Sequence, residues 1–113
     1  MKKLFTLVSA AMLCMQAITA SPVSEWGKLK LVGNQLSSQD GKPIQLRGWS
    51  THGSWFKGCY DDRDDFEKMM KEGANMARIA MYVNEGQGYD IEWVKNCVDY
   101  TAQLGIYCLV DWH

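Results

Sequence analysis

Arg78 is the residue whose position most demands a chemical reason. It sits within Met76-Ala-Arg-Ile-Ala-Met-Tyr82, a run that otherwise reads as a buried strand. Strand alternation places Arg78 on one face with Ala80 and Tyr82, and turns Ala77, Ile79 and Met81 to the other face, toward covering helices. An arginine on an inward face cannot remain unpaired, because desolvating its charge costs several kcal/mol. It needs a carboxylate, and none lies close enough on its own strand face. The partner is therefore expected from another strand, a strand outside this chain being one source. The competing reading is a side chain that snorkels its head to water.

Other suggestive residues gather at strand ends. His52 follows the first strand candidate, Tyr82 ends the second, and His113 ends the third. In a (β/α)8 barrel the reacting groups stand at that end of the strands. Their convergence says more than any one of them, since a single histidine is commonly an ordinary loop residue. Trp49, Trp55, Phe56 and Tyr60 cluster around the loop after the first strand. Aromatics beside a cleft can stack on sugar rings, although Trp49 is assigned to the core. Asn84-Glu85 lies in a glycine-flanked loop, so Glu85 is read as a solvated acid. The acids from Asp61 to Asp65 suit a helix start better than a metal site. Asp111 and His113 could coordinate a metal, but two candidates without a third firm ligand are weak evidence. No metal and no cofactor is expected.

The elements that would position these residues follow from the same pattern. Leu29-Lys-Leu-Val32 and Gln35-Leu36 flank Gly33-Asn34 as a short hairpin, and Asp40-Gly41 makes a second turn before Ile44-Gln-Leu46. Asp61–Glu72 reads as a helix with Phe66, Met69 and Met70 at helical spacing and Gly73 as its stop. Asp90 caps a second helix reaching Leu104, with Ile91, Val94, Cys97, Val98 and Ala102 as its apolar face and Gly105 as its end. Ile106–Val110 is the third strand. Strand, helix, strand, helix, strand predicts a parallel sheet with crossover helices. No glycine-rich phosphate loop follows the first strand, which speaks against a nucleotide-binding sheet.

Composition narrows the partners. A formal net charge of −1 argues against nucleic acid and acidic membranes. Lys2 and Lys3 precede an apolar stretch from Leu4 to Ile18, and Thr19-Ala20 leads into Ser21-Pro22. This order predicts a secretory signal over residues 1–20, cut after Ala20, with residues 21–113 forming the exported fold in the periplasm or outside the cell. The apolar stretch is shorter than the roughly 20 residues that span a bilayer. Met12-Leu13 before Cys14 are too bulky for lipid attachment. Beyond the leader stand Cys59, Cys97 and Cys108. With no CxxC spacing, one disulfide and three free thiols both stay open.

Three motifs in order carry a resemblance over nearly the whole exported part. They are Asp40-Gly-Lys-Pro-Ile-Gln-Leu-Arg-Gly48 with Ser50-Thr-His-Gly53, then Gly73-Ala-Asn-Met-Ala-Arg-Ile-Ala-Met-Tyr82, and Gly105-Ile-Tyr-Cys-Leu-Val-Asp-Trp-His113. The chain resembles glycoside hydrolase family 5, in its bacterial endoglucanase (cellulase) branch. The resemblance implies a (β/α)8 barrel, here its N-terminal part preceded by a β-hairpin, that cleaves β-1,4-glucan with retention of configuration and acts as a monomer. It implies two glutamates, an acid/base after strand four and a nucleophile after strand seven, about 5 Å apart in retaining enzymes. Both are expected beyond His113, so the 113 residues alone are expected to be inactive and, with an open sheet edge, prone to aggregate. Residue by residue, it implies that Arg78 holds the nucleophile carboxylate. His52, Tyr82 and His113 would line the sugar subsites, and Trp55 would stack on a sugar. Only Ser54 separates Gly53 from Trp55, where the family carries two residues. The alternatives are a non-catalytic carbohydrate-binding module built on Trp55, Phe56 and Tyr60, and a metal-dependent hydrolase using His52, Asp111 and His113.

Overall fold

A computed structural model describes residues 20–54, 58, 60–83 and 89–112. Nearly all of the predicted signal, together with Trp55, Phe56, Cys59, Asn84, Glu85 and His113, lies outside the described residues. The chain enters through a short helix, α1 (Pro22–Trp26), capped by Ser21, whose Oγ accepts from the Ser24 amide. A hairpin of β1 (Lys30–Val32) and β2 (Gln35–Ser37) follows, paired antiparallel with Leu31 opposite Leu36. Gly33 turns it with a φ of 62°, a conformation that glycine adopts without strain.

The Asp40-Gly41 turn forms as expected, with the Ser38 amide donating to Lys42 O and the Gly41 amide to Ser38 O. The strand expected after it does not. Past a single bridge from Ser37 to Pro43, residues 44–47 are not a strand. The reason is Asn75, whose side chain stands in for a pairing strand. Its Oδ1 accepts from the Arg47 amide at 2.7 Å and its Nδ2 donates to Gln45 O at 3.0 Å.

From there the alternation of strands and helices is as read. The elements are β3 (Gly48–Ser50), α2 (Arg63–Lys71), β4 (Met76–Met81), α3 (Ile91–Leu104) and β5 (Tyr107–Trp112). The three strands form one parallel sheet in the order β3-β4-β5, with Ser50 opposite Arg78 and Ala80 opposite Asp111. Gly48 is dictated by this pairing, since a Cβ there would lie 1.8 Å from the Met76 carbonyl oxygen. Among the acids before α2, Asp62 is the cap and accepts from the Asp65 amide. Asp90 caps α3 by accepting from the Trp93 amide, and Gly105 ends it in the left-handed conformation.

The core lies between sheet and helices. Ala77, Ile79 and Met81 of β4 meet Phe66 of α2 and Trp93, Val94 and Cys97 of α3, closed below by Ile106. Trp49 packs edge-on to Phe66, with ring centroids 4.9 Å apart, as its core assignment required. The buried face of α3 differs from the one expected. Ile91 and Ala102 are exposed, and Trp93 and Thr101 take their place. Trp93 can go inside because its indole N–H reaches a carboxylate, Asp61 Oδ2, at 2.8 Å. Thr101 is buried because its hydroxyl donates to Val98 O within the same helix.

Cys97 and Cys108 carry free thiols. Burial, aided by the nearby Asp61 charge, pushes the Cys97 thiol up from 9.0 to about 12. The folded state thus holds a proton that the unfolded thiol releases at its ordinary value. Stability is unaffected by this group below pH 9 and declines as pH rises from there toward 12. Iodoacetamide at pH 8 should therefore leave Cys97 unmodified in the folded chain and alkylate it once denaturant is added, read by peptide mass. Equal labelling in both states would show that Cys97 is not in the core.

Candidate active-site face

The sheet has two unlike sides. Toward the helices it is apolar. On the other side, residues in register on three parallel strands bring Ser50, Arg78, Ala80 and Asp111 onto one face. The Arg78 guanidinium is bound from both flanks. Its Nη1 donates to Ser50 Oγ at 2.7 Å on β3, and its Nη2 forms an ion pair with Asp111 Oδ2 on β5. The carboxylate that Arg78 requires does come from another strand, and that strand belongs to this chain. Adjacent parallel strands make this possible, because Asp111 stands two residues beyond Leu109, the register partner of Arg78.

About a third of each side chain stays open to water, 33% for Arg78 and 29% for Asp111. The pair is thus accessible from the sheet face. Its geometry fixes a cation near the carboxyl ends of three strands, where a further anion could approach. Such a cation can orient a carboxylate or stabilise developing negative charge.

His52 and Tyr82 stand at the same end. His52 is exposed just past β3, and Tyr82 is half-buried just past β4. Thr51 anchors the chain between them, its amide donating to Arg78 O and its Oγ1 accepting from the Ala80 amide. Gly53 lies against the Tyr82 ring, where a Cβ would come within 2.4 Å of it, and has a φ of 108°. The ring is thereby seated on bare backbone. Trp55 and His113 lie outside the described residues, so the structure brings together His52, Arg78 and Tyr82 of the five residues singled out. Among the described residues no group of three His, Cys, Asp or Glu side chains could hold a metal ion. The Asp111 carboxylate is instead engaged by an arginine.

Sequence reading missed two contributors. Ser50 precedes His52 by two, so alternation from His52 would have found it. Asp61 was grouped with the capping acids, yet it turns away from the helix. Its Oδ1 accepts from the Gly58 amide at 2.7 Å, while its Oδ2 takes the Trp93 indole. An acid before an N-cap that already has an acid of its own was the available signal.

This fold and face belong to a known class. Residues 37–113 match the family model for cellulase (glycosyl hydrolase family 5). Endoglucanase E-5 of Thermobifida fusca is 35% identical over 102 residues, covering 84% of this chain and 22% of that protein. An endoglucanase of Clostridium saccharobutylicum is 40% identical over 101 residues, covering 83% and 22%. The Thermobifida fusca endoglucanase catalytic domain, solved as a variant in complex with cellotetraose, superposes with a TM-score of 0.70 at 32% identity, covering 82% of this chain and 32% of that one.

The chain belongs to glycosyl hydrolase family 5. Its parallel sheet is the N-terminal part of the (β/α)8 barrel of those catalytic domains, and it spans about a fifth of the length of the curated relatives. The hydrolase class is favoured over a free-standing sugar-binding module.

The ion pair generates a test. Asp111→Ala leaves Arg78 without its carboxylate and should destabilise the chain by about 1–2 kcal/mol, allowing for partial exposure. Arg78→Met combined with Asp111→Leu should recover most of that loss. Urea denaturation decides. A double variant less stable than Asp111→Ala would show that the pair is not what Arg78 depends on.

Proposed function

We propose that this chain forms the opening strands of a secreted β-1,4-glucanase and supplies the arginine that steadies its nucleophile. The observation that carries the reading is the Arg78 guanidinium, held by Ser50 and Asp111 at the carboxyl ends of three parallel strands. In a retaining glycosidase one carboxyl group protonates the leaving oxygen, and the other attacks the sugar carbon and must stay ionised. A fixed guanidinium at the strand ends favours the ionised form of a carboxylate brought beside it. In family 5 that carboxylate is a glutamate after strand seven and the acid/base a glutamate after strand four. Neither role falls to a residue of these 113, so the chain alone does no chemistry.

Around the guanidinium, His52 and Tyr82 supply polar groups for the sugars flanking the cleaved bond. By the family resemblance, His113 would also line the sugar subsites and Trp55 would stack on a sugar. The relative solved with cellotetraose supports a β-1,4-linked glucan as the ligand class. Residues 1–20 act as the export leader.

The test is reducing-end release from carboxymethylcellulose and cellotetraose. The 113-residue chain alone should show no turnover, while the full-length product of the reading frame that contains it should hydrolyse both. In that product Arg78→Ala should lower kcat by about 10²–10³-fold, with KM changed less. Turnover by the chain alone, or an undiminished kcat in the variant, overturns the reading.

A further inference from the structure

Strand β3 stops at Ser50 although its register continues. Extending the pairing by one residue sets Thr51 opposite Ile79. In a regular parallel ladder such a residue donates its amide to the residue before its partner and accepts at its carbonyl from the residue after it. Thr51 keeps the first bond, its amide donating to Arg78 O at 2.9 Å. The second is made by its side chain, since the Ala80 amide donates to Thr51 Oγ1 at 3.0 Å. Thr51 is 3% exposed and Ala80 2%, so that amide must be satisfied by protein, and the hydroxyl satisfies it. The hydroxyl thus stands in for the carbonyl and releases it from the ladder.

The released carbonyl has another use. Ser50 Oγ donates to Thr51 O at 2.9 Å and accepts from Arg78 Nη1 at 2.7 Å. A serine hydroxyl has one proton to give. With that proton committed to Thr51 O, its lone pairs are left to face the guanidinium. A carbonyl drawn back into the ladder would deprive Ser50 of the acceptor that orients it. Of the two strand tethers on Arg78, only Asp111 on Nη2 would then be fixed.

We propose that Thr51 is a positioning residue for Arg78: its hydroxyl replaces its carbonyl in the β3–β4 ladder, and the carbonyl so released fixes Ser50 as an acceptor for the guanidinium. The proposal rests on the glucanase reading of the sheet face and deepens it by naming what aims the arginine. The Thr51 side chain is buried and acts on the cation only through Ser50. Its loss therefore slows the chemical step and leaves ground-state sugar binding nearly unmoved.

The test uses the full-length product of the reading frame that contains this chain, with steady-state kinetics on cellotetraose. Thr51→Val keeps the shape and removes the hydroxyl, Thr51→Ser keeps the hydroxyl, and Ser50→Ala removes the acceptor itself. Thr51→Val and Ser50→Ala should each lower kcat about tenfold with KM within about twofold, the scale of a small misplacement of a fixed charge. Thr51→Ser should stay within about twofold of the unsubstituted protein. Because Thr51 acts through Ser50, the double variant Thr51→Val with Ser50→Ala should match Ser50→Ala alone, whereas independent losses would multiply to about a hundredfold. If Thr51→Val does not fold, Thr51→Cys, close in size and a weak acceptor, takes its place in this double-mutant cycle. A multiplicative double variant overturns the proposal, as does an unchanged kcat in Thr51→Val or a Thr51→Ser variant as slow as Thr51→Val. Inactivity of the unsubstituted protein on β-1,4-glucans would sink the glucanase reading and the aiming role with it, while the other three results count against Thr51 alone.

Discussion

A cation within an apolar strand obliges its neighbours to provide acceptors, and much of this sheet follows from that obligation. Arg78 occupies the middle of the three strands, so it can be served from both sides. Ser50 answers from β3 and Asp111 from β5. Each partner fixes a register. A one-residue slip of either outer strand would turn its polar group toward the helices and away from the guanidinium. Burying Ala77, Ile79 and Met81 sets which face of β4 looks inward. The guanidinium then sets how β3 and β5 must lie against it. Hydrophobic packing and charge pairing thus select the same arrangement, which is the consistency that makes a sequence specify one fold.

Close approach of backbone imposes the second constraint. Gly48 admits the Met76 carbonyl where β3 begins to pair with β4, and Gly53 admits the Tyr82 ring where β3 gives way to its loop. Gly48 opens β3, and Gly53 lies three residues past its last residue, Ser50. The first lets the strand join the sheet. The second lets the aromatic residue just past β4 lie against the loop that leaves β3. The site side of the sheet is therefore shaped by absent side chains as well as by present ones. At the other end of the sheet α1 is held by its own contacts, with Trp26 stacked on Tyr107 and the Tyr107 hydroxyl donating to Gly27 O at 2.6 Å. Entry helix and site loop are thus secured at opposite ends.

What the sequence revealed and what it hid divide along physical lines. Local signals were legible. Gly33-Asn34, the Asp90 cap and the Gly105 stop each act within a few residues, and each appears where it was read. The in–out alternation of Met76–Met81 was legible for the same reason. The partner of Arg78 could be demanded but not identified, because Asp111 is 33 residues away and reaches it only through the β4–β5 register. The loss of the expected strand at 44–46 was hidden because a side chain, Asn75, satisfies that backbone from 28 to 30 residues away. The face of α3 was misjudged because hydropathy ranks Ile91 above Trp93, whereas an indole with a carboxylate in reach can be buried at little penalty. The family motifs singled out His52, Tyr82 and Arg78, of which His52 and Tyr82 lie just past β3 and β4 and Arg78 lies within β4.

Trp93 and Asp61 show why core and site cannot be treated separately in this fold. The helices of a (β/α) unit pack on the apolar side of the sheet, and the loops at the strand ends carry function. A loop is held by few backbone pairings of its own, so precision at its tip has to be borrowed from something rigid. Here the lender is the helix layer. Trp93 contributes apolar surface to the core and directs its one polar atom at the loop's return, while Trp49 packs on Phe66 and turns its indole N–H toward Tyr60 O at 3.5 Å. Two tryptophans thus pack in the helix-side core and offer hydrogen bonds at the loop end. The sheet's polar face is positioned by strand register, and the loop beside it by indoles rooted in the core. A change that loosened helix packing would for that reason reach the loop after β3 before it disturbed the arginine on the strand.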